Sequence, residues 1–372
     1  MKFKDLTPPQ VELVDLCKWA FTHDISDIHI EPVESGLEIR VRRNGRLEPL
    51  KKIPESRSSV FFEGSKSLLG FDMSKSGVPQ DSRYRHPTES VDFRCNLMPV
   101  LWGEKLCLRL LERGKDFHLS KYPLFDKAKE TLFRVINKGQ GLVIVSGPTG
   151  SGKSTLLYSV LGSIDRGVKN INTVEDPVEY TIHGLNQIPV EKGKYEFSDA
   201  LRALMRQDPD VIMVGEIRDA ETAEAAIHAA STGHLVLTTV HANDASDIFT
   251  RLEGLGVPRE PVELSLQFAS AQRLVKTLCE KCKEDDHDSD ALVRSLFPTK
   301  NEIWFTPKIS KGCHECRGTG IKGRTLIFEY VTPERVKGKR MLVSHESLED
   351  QAFEALSRGE ISAKEAYSCF SD

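Results

Sequence analysis

Between residues 10 and 23 (QVELVDLCKWAFTH) apolar side chains recur at Val11, Val14, Leu16, Trp19 and Ala20, a spacing that predicts a helix with one buried face. Short alternating stretches follow at Ile28-His29-Ile30 and over Leu37-Glu38-Ile39-Arg40-Val41-Arg42, and these predict strands. The pair Asn44-Gly45 is a hairpin-type turn signal. A helical stretch near 57–70 and strands around 91–98 and 104–111 complete a small α/β unit. Its end is marked by Arg113-Gly114-Lys115-Asp116, and the Pro123 region reads as a linker. From about residue 124 the pattern changes. Apolar strands at Gly141–Val145, Asn170–Val174, Asp210–Val214 and Leu235–Val240 alternate with helical runs near 153–165, 198–207 and 219–232, which implies a parallel sheet. Asp285 to Asp290 is acidic and reads as a solvated loop. No internal repeat is visible.

The 372 residues are 39% hydrophobic and 28% charged, with a formal net charge of −4. That is ordinary composition for a soluble chain of two or three domains, and it provides no global basic field for nucleic acid. No apolar run approaches the 18 or so residues that span a bilayer, and Met1 to Pro9 lacks a signal-peptide core, so a cytoplasmic protein is expected. Of eight cysteines, Cys17, Cys95, Cys107 and Cys369 are scattered and read as small apolar residues.

Gly147-Pro148-Thr149-Gly150-Ser151-Gly152-Lys153-Ser154 fits G-x-x-x-x-G-K-[ST] directly after an apolar strand and before a helix. The glycines let backbone N–H groups converge on phosphate oxygens, and the following helix adds its positive end. Lys153 is placed to reach the β- and γ-phosphates and the Ser154 hydroxyl to ligate Mg²⁺, with Thr155 completing the binding segment. This is a nucleotide-binding motif.

Hydrolysis needs more. The strand Val211–Val214 runs into Gly215-Glu216, where Glu216 would polarise the attacking water. Many P-loop enzymes carry a metal-associated aspartate where this chain has Gly215, so a second acid is needed. Glu175, at the end of the neighbouring strand, is the first choice; Asp176 and Glu179 follow it. Carboxylates at the C-terminal ends of parallel strands face the ligand crevice. Two histidines bracket the next strand, His234 and His241, on the order of 20 Å apart along it. His241 is the candidate γ-phosphate sensor; His234 reads as a packing or subunit-contact residue.

Arginines can meet the charge of a transferred phosphoryl group, an effect on the order of 10³-fold in rate. Arg202 and Arg206 lie four apart on an expected helix (Ser198 to Gln207), Arg218 follows Glu216 by two, and the first unit offers Arg83, Arg94 and Arg109. A surface arginine with no such task is simply solvated.

Cys279-Glu280-Lys281-Cys282 and Cys313-His314-Glu315-Cys316 are two C-x-x-C knuckles. Four thiolates suit a closed tetrahedral Zn²⁺ site, which leaves no place for His314 as a ligand. The stretch between them is too long for a compact ribbon, so it is expected to carry structure of its own. A structural clip is the reading.

Together these motifs resemble the secretion ATPase superfamily, specifically the type II secretion and type IV pilus assembly ATPases. The resemblance rests on Ser26-Asp27-Ile28-His29-Ile30-Glu31-Pro32, the phosphate loop 147–154, the acidic segment 172–180, Gly215-Glu216-Ile217-Arg218-Asp219, the histidine segment 233–245 and Cys316-Arg317-Gly318-Thr319-Gly320. It implies an α/β fold in which a PAS-like domain (1–114) and a linker (115–123) precede a RecA-like P-loop ATPase domain (124–372). That domain would carry a four-cysteine zinc subdomain over about 276–330 and a helical C-terminal tail. It also implies a homohexamer, bound to ATP and Mg²⁺, with sites between domains and subunits and with Arg83, Arg94 and Arg109 as trans-acting candidates. The partners implied are an inner-membrane platform protein and a cytoplasmic adaptor, at the cytoplasmic face of a bacterial inner membrane, and no direct nucleic acid. The zinc motif resembles the assembly branch. Longer members grip the adaptor through an extra N-terminal domain, which this sequence is expected to lack. The alternative is a nucleic-acid translocase or DNA-uptake motor, since RecA-like hexamers serve both tasks; a non-hydrolysing nucleotide-dependent scaffold is a third reading.

Overall fold

The computed structural model describes residues 6–112, 116–190, 193–300, 303–336 and 339–370. Its chain divides into two compact units, Met1–Lys115 and Asp116–Asp372. Arg113–Lys115, read above as the end of the first unit, lie outside the described residues.

In the first unit helix α1 (Pro8–Thr22) precedes β1 (Ile25–Val33), β2 (Gly36–Arg43) and β3 (Arg46–Pro54). Helix α2 (Glu55–Leu69) leads to β4 (Gln80–Arg85), β5 (Val91–Val100) and β6 (Gly103–Glu112). The strands form one antiparallel sheet in the order β3-β2-β1-β6-β5-β4. Asn44 and Gly45 take positive φ at the β2–β3 turn, the twist that a tight hairpin requires. One face is apolar: Ile28, Ile30, Phe93, Cys95, Leu106 and Leu108 pack beneath Leu13, Cys17 and Phe61 of the two helices. The other face is polar, as the period of two dictates. Along it Arg83 pairs with Arg94, Arg94 with Arg109, and Arg109 with Asp27, one row across four strands. Strands β3 and β4 were not legible in the sequence: β4 is polar at nearly every position, and the apolar residues of β3 (Leu47, Leu50 and Ile53) recur every third position rather than every second.

The second unit continues with α3 (Asp126–Lys138), β7 (Gly141–Ser146), α4 (Lys153–Gly162), β8 (Ile171–Glu175), β9 (Asn186–Pro189), α5 (Phe197–Leu204), β10 (Val211–Val214), α6 (Ala220–Ser231) and β11 (Leu235–Val240). Then come α7 (Asp247–Gly254), α8 (Arg259–Ser265), β12 (Leu266–Leu278), β13 (Lys283–Asp285), α9 (Asp290–Leu296), β14 (Lys308–Ser310), β15 (Ile321–Val336), β16 (Lys339–His345), α10 (Leu348–Ser357) and α11 (Ala363–Tyr367). The sheet order is β16-β15-β12-β7-β11-β10-β8-β9. It is parallel from β12 to β9 and antiparallel from β12 outward. Alternate residues of β7 divide the core: Leu142 and Ile144 face α5, α6 and α10, whereas Val143 and Val145 face α3 and α4. Both faces are therefore covered, and the strand ends stay open for chemistry.

Three readings need correction. Helix α5 ends at Leu204, so Arg206 lies past its end and the two arginines do not share a helix face. The acidic stretch is not a plain loop: Asp285 closes β13, a single 3₁₀ turn covers His287–Ser289, and Asp290 begins α9. The C-terminal tail is helical in α10 and α11, but its first element, β16, extends the sheet.

Candidate active site and metal centre

Strand β7 delivers the chain to the phosphate loop at the carboxyl edge of the sheet. Gly147 sits at φ +138°, and a Cβ there would lie 2.4 Å from the Gln272 carbonyl oxygen, so only glycine fits the first turn. Lys153 opens α4. Its Nζ donates to the Gly147 and Pro148 carbonyls at 2.7 and 3.0 Å. Burial lowers the Lys153 pKa, with Glu216 and Glu179 opposing. The lysine thus fits an incoming phosphate, which replaces the loop carbonyls with full negative charge.

A cleft of about 440 Å³ opens beside the loop. Thr149, Gly150, Gly152, Lys153, Ser154, Thr155, Glu175, Glu216 and His241 all line it. Gly147, Pro148 and Ser151 complete the loop beneath. Asp176 and Glu179, the lesser acid candidates, line the same cleft. His234 does not; it stands at the opposite end of β11, where its Nδ1 contacts the Ala229 carbonyl at 3.0 Å.

The acids differ sharply in setting. Glu216 remains partly accessible; Arg218 donates to it and also reaches Asp176 Oδ2 at 3.3 Å. Arg218, one of the arginines that could meet phosphoryl charge, here contacts two acids of its own chain. His241 Nε2 lies 3.7 Å from Glu216 Oε2. Burial, and then the charge of Lys153, hold the His241 imidazole below its usual range. Glu175 is 4% exposed. It accepts from Tyr158 Oη, from Thr173 Oγ1 at 2.5 Å and from Gln187 Nε2 at 3.1 Å. Burial pushes its pKa up, and the three neutral donors pull it back down. Arg202 pairs with Glu221 at 3.1 Å on the surface of this unit. Arg83, Arg94 and Arg109 belong to the first unit's polar face.

Sequence reasoning missed Leu274 and Arg324, which line the cleft, and Tyr122 and Gln272, which lie under the loop. A local signal was lacking, because β12 mixes apolar residues with Gln267, Ser270, Gln272, Arg273 and Lys276.

The four-cysteine cluster forms where β12 ends and before β15 begins. The sulfurs of Cys279, Cys282, Cys313 and Cys316 all lie within 4.8 Å of one another. Three of their separations are 3.9, 3.8 and 3.7 Å. A tetrahedron with Zn–S bonds near 2.3 Å has edges of about 3.8 Å, so the donor set fits zinc. The backbone N–H groups of Cys313 and Gly320 donate to Cys316 Sγ at 3.1 and 3.2 Å, the support a thiolate needs. His314 is exposed and outside the cluster. The excursion between the knuckles holds α9 and the β13–β14 pair.

A parallel sheet with a phosphate loop after its central strand, an acid after the strand two places over and an attached four-cysteine clip defines a RecA-like P-loop protein of α/β class. The profile described as "Type II/IV secretion system protein" matches residues 5–366, and the chain belongs to that family. It is 42% identical over 320 residues to a type IV pilus assembly ATPase PilB of Thermus thermophilus, covering 83% of this chain and 35% of that one. A PilB of Pseudomonas aeruginosa is 41% identical over 312 residues (82% and 55%). A putative type II secretion system protein E of Escherichia coli is 37% identical over 362 residues (95% and 72%). The chain thus spans between about a third and a little over half of the length of the first two relatives. Among solved structures, the pilus retraction motor PilT with bound ADP superposes with a TM-score of 0.65 at 25% identity, covering 97% of both chains. The ATPase DotB of Legionella pneumophila does so at 0.68 and 22% identity, covering 98% and 96%, and attests the fold.

Proposed function

We propose that this chain is a magnesium-dependent ATP hydrolase working as a homohexameric motor at the cytoplasmic face of a bacterial inner membrane. It would power assembly of type IV pilus or type II secretion pseudopilus fibres through a platform protein and a cytoplasmic adaptor. The observation that carries this reading is the convergence of Lys153, Ser154, Glu216 and His241 on one cleft at the carboxyl edge of the sheet.

In this reading the loop N–H groups and Lys153 hold the β- and γ-phosphates. Mg²⁺, when bound, supplies charge neutralisation on the phosphate oxygens, held through the Ser154 hydroxyl. Glu216 orients a water and takes its proton as that water attacks the γ-phosphorus, releasing ADP and phosphate. His241, close to Glu216, donates to the γ-phosphoryl oxygens. Glu175, directed by Tyr158, Thr173 and Gln187, is the second acid. Arg83, Arg94 and Arg109 act on nucleotide held by a neighbouring copy, and Cys279, Cys282, Cys313 and Cys316 hold a structural zinc.

The test is the steady-state ATPase rate of the zinc-loaded protein alone, with DNA, and with solubilised platform protein from the same source. Stimulation by the platform and indifference to DNA is the expected result. Stimulation by DNA alone would replace the motor for pilins with a nucleic-acid translocase.

A further inference from the structure

Strand β12 runs parallel to β7 up to Ala271, which is paired with Ser146, the last residue of β7. It then continues past the sheet's carboxyl edge, paired with β15. The first two residues beyond the edge are Gln272 and Arg273, and each grips a different loop. Gln272 is wholly buried. Its Nε2 donates to the Ser151 carbonyl at 2.6 Å and to Tyr122 Oη at 3.2 Å, and Tyr122 in turn donates to the Gly152 carbonyl at 3.3 Å. Gly152 sits at φ +91°, and a Cβ there would come 3.1 Å from Gln272 Nε2, so the loop rests directly on the amide. Arg273 donates to the Asn243 carbonyl at 2.8 Å, two residues after His241. Successive strand residues point to opposite sides, which is how neighbours reach two loops.

We propose that Gln272 and Arg273 form a brace that sets the spacing of the two phosphate-facing loops, acting as positioning residues: Gln272 for the phosphate loop, Arg273 for the histidine loop. Among the described residues, Gln272 Oε1 and Ser151 Oγ are both buried without a hydrogen-bond partner, a reserve of unmade bonds at the floor of the loop. Such groups destabilise the loop's present shape and favour a rearrangement that satisfies them. A phosphate that draws the loop's N–H groups inward provides the occasion. This inference rests on the nucleotide reading of the cleft.

The two residues should give different signatures. The phosphate loop holds phosphates common to ADP and ATP, whereas His241 serves the γ-phosphoryl group alone. The experiment is calorimetric titration of the zinc-loaded protein with ADP and with AMP-PNP, each with Mg²⁺. Gln272→Leu is expected to weaken both about tenfold in parallel. Arg273→Met is expected to keep the ADP affinity within about twofold and lower the preference for AMP-PNP about fivefold. Tyr122→Phe, which preserves the packing, should follow Gln272→Leu at about threefold, and it carries the test if the leucine variant does not fold. Unchanged affinities in Gln272→Leu and Tyr122→Phe would overturn the brace, as would equal losses for both nucleotides in all three variants that follow their melting temperatures. A wild-type protein that binds neither nucleotide would instead overturn the reading of the cleft, and the brace with it.

Discussion

The guanidinium of Arg218 donates to the carboxylate of Glu216, two positions earlier in the chain, while its other arm lies 3.3 Å from Asp176. These two contacts set the direction of the Glu216 side chain. Glu216→Gln keeps the shape and the hydrogen bond but removes the base. Turnover is expected to fall by about 10²-fold or more, with ADP affinity within about twofold of wild type, measured by coupled assay and calorimetry. A variant hydrolysing ATP at near wild-type rate would remove Glu216 from the mechanism.

Glu175 offers a different test, because its carboxylate is nearly sealed from water and depends on Tyr158, Thr173 and Gln187 for its charge. Tyr158→Phe deletes one donor to the ionised form, so the Glu175 pKa rises further. The acidic limb of the pH–rate profile is expected to move to higher pH, with the alkaline limb unmoved. An unchanged profile would mean that Glu175 does not titrate in the rate-limiting species.

The zinc reading is checked by composition and by melting together. Cys279→Ser or Cys313→Ser is expected to reduce bound zinc well below one equivalent and to lower Tm by roughly 5 °C or more, since the binding energy of a structural metal is folding energy. Zinc lost with Tm intact would contradict a structural clip.

In the first unit Glu31 is clamped by Arg40 and Lys105 at 2.5 and 2.6 Å, and chiefly the Arg40 bond holds its pKa at about 2 against an ordinary 4.5. A depressed carboxyl stabilises the fold fully above its unfolded-state value, and that stabilisation drains away as pH falls from about 4.5 to 2. Glu31→Gln should therefore cost about 1 kcal/mol at pH 7, after allowance for the exposure of Arg40 and Lys105, and almost nothing near pH 2. Denaturant melts at the two pH values measure the difference; an equal loss at both would show that packing, not charge, is what the substitution removes.

The phosphate loop, Glu216, His241 and the cysteine knuckles were legible because each has a fixed local spacing set by its chemistry. The parallel strands β7, β8, β10 and β11 were legible because strands covered on both faces read as apolar runs. Strands β12 and β15 were not, since each is half core and half cleft wall, and Leu266–Leu278 carries no single period. Gln272 escaped for the same reason: its partner Ser151 lies across 121 positions. For Arg218 a sequence shows that a cation is present but not that Glu216 and Asp176 are its partners.

Leu278 and Ile321 face each other in the β12–β15 ladder, so the excursion from Cys279 to Gly320 leaves and rejoins the sheet at a single point. The seam and the four-cysteine cluster therefore close the same neck twice over. Slackening the cysteine cluster would loosen the pouch beyond that neck, and the ladder below would keep Leu274 and Arg324 in the cleft wall. Because closing a longer loop is only logarithmically harder than closing a short one, the pouch is a part whose length can drift while the wall stays put.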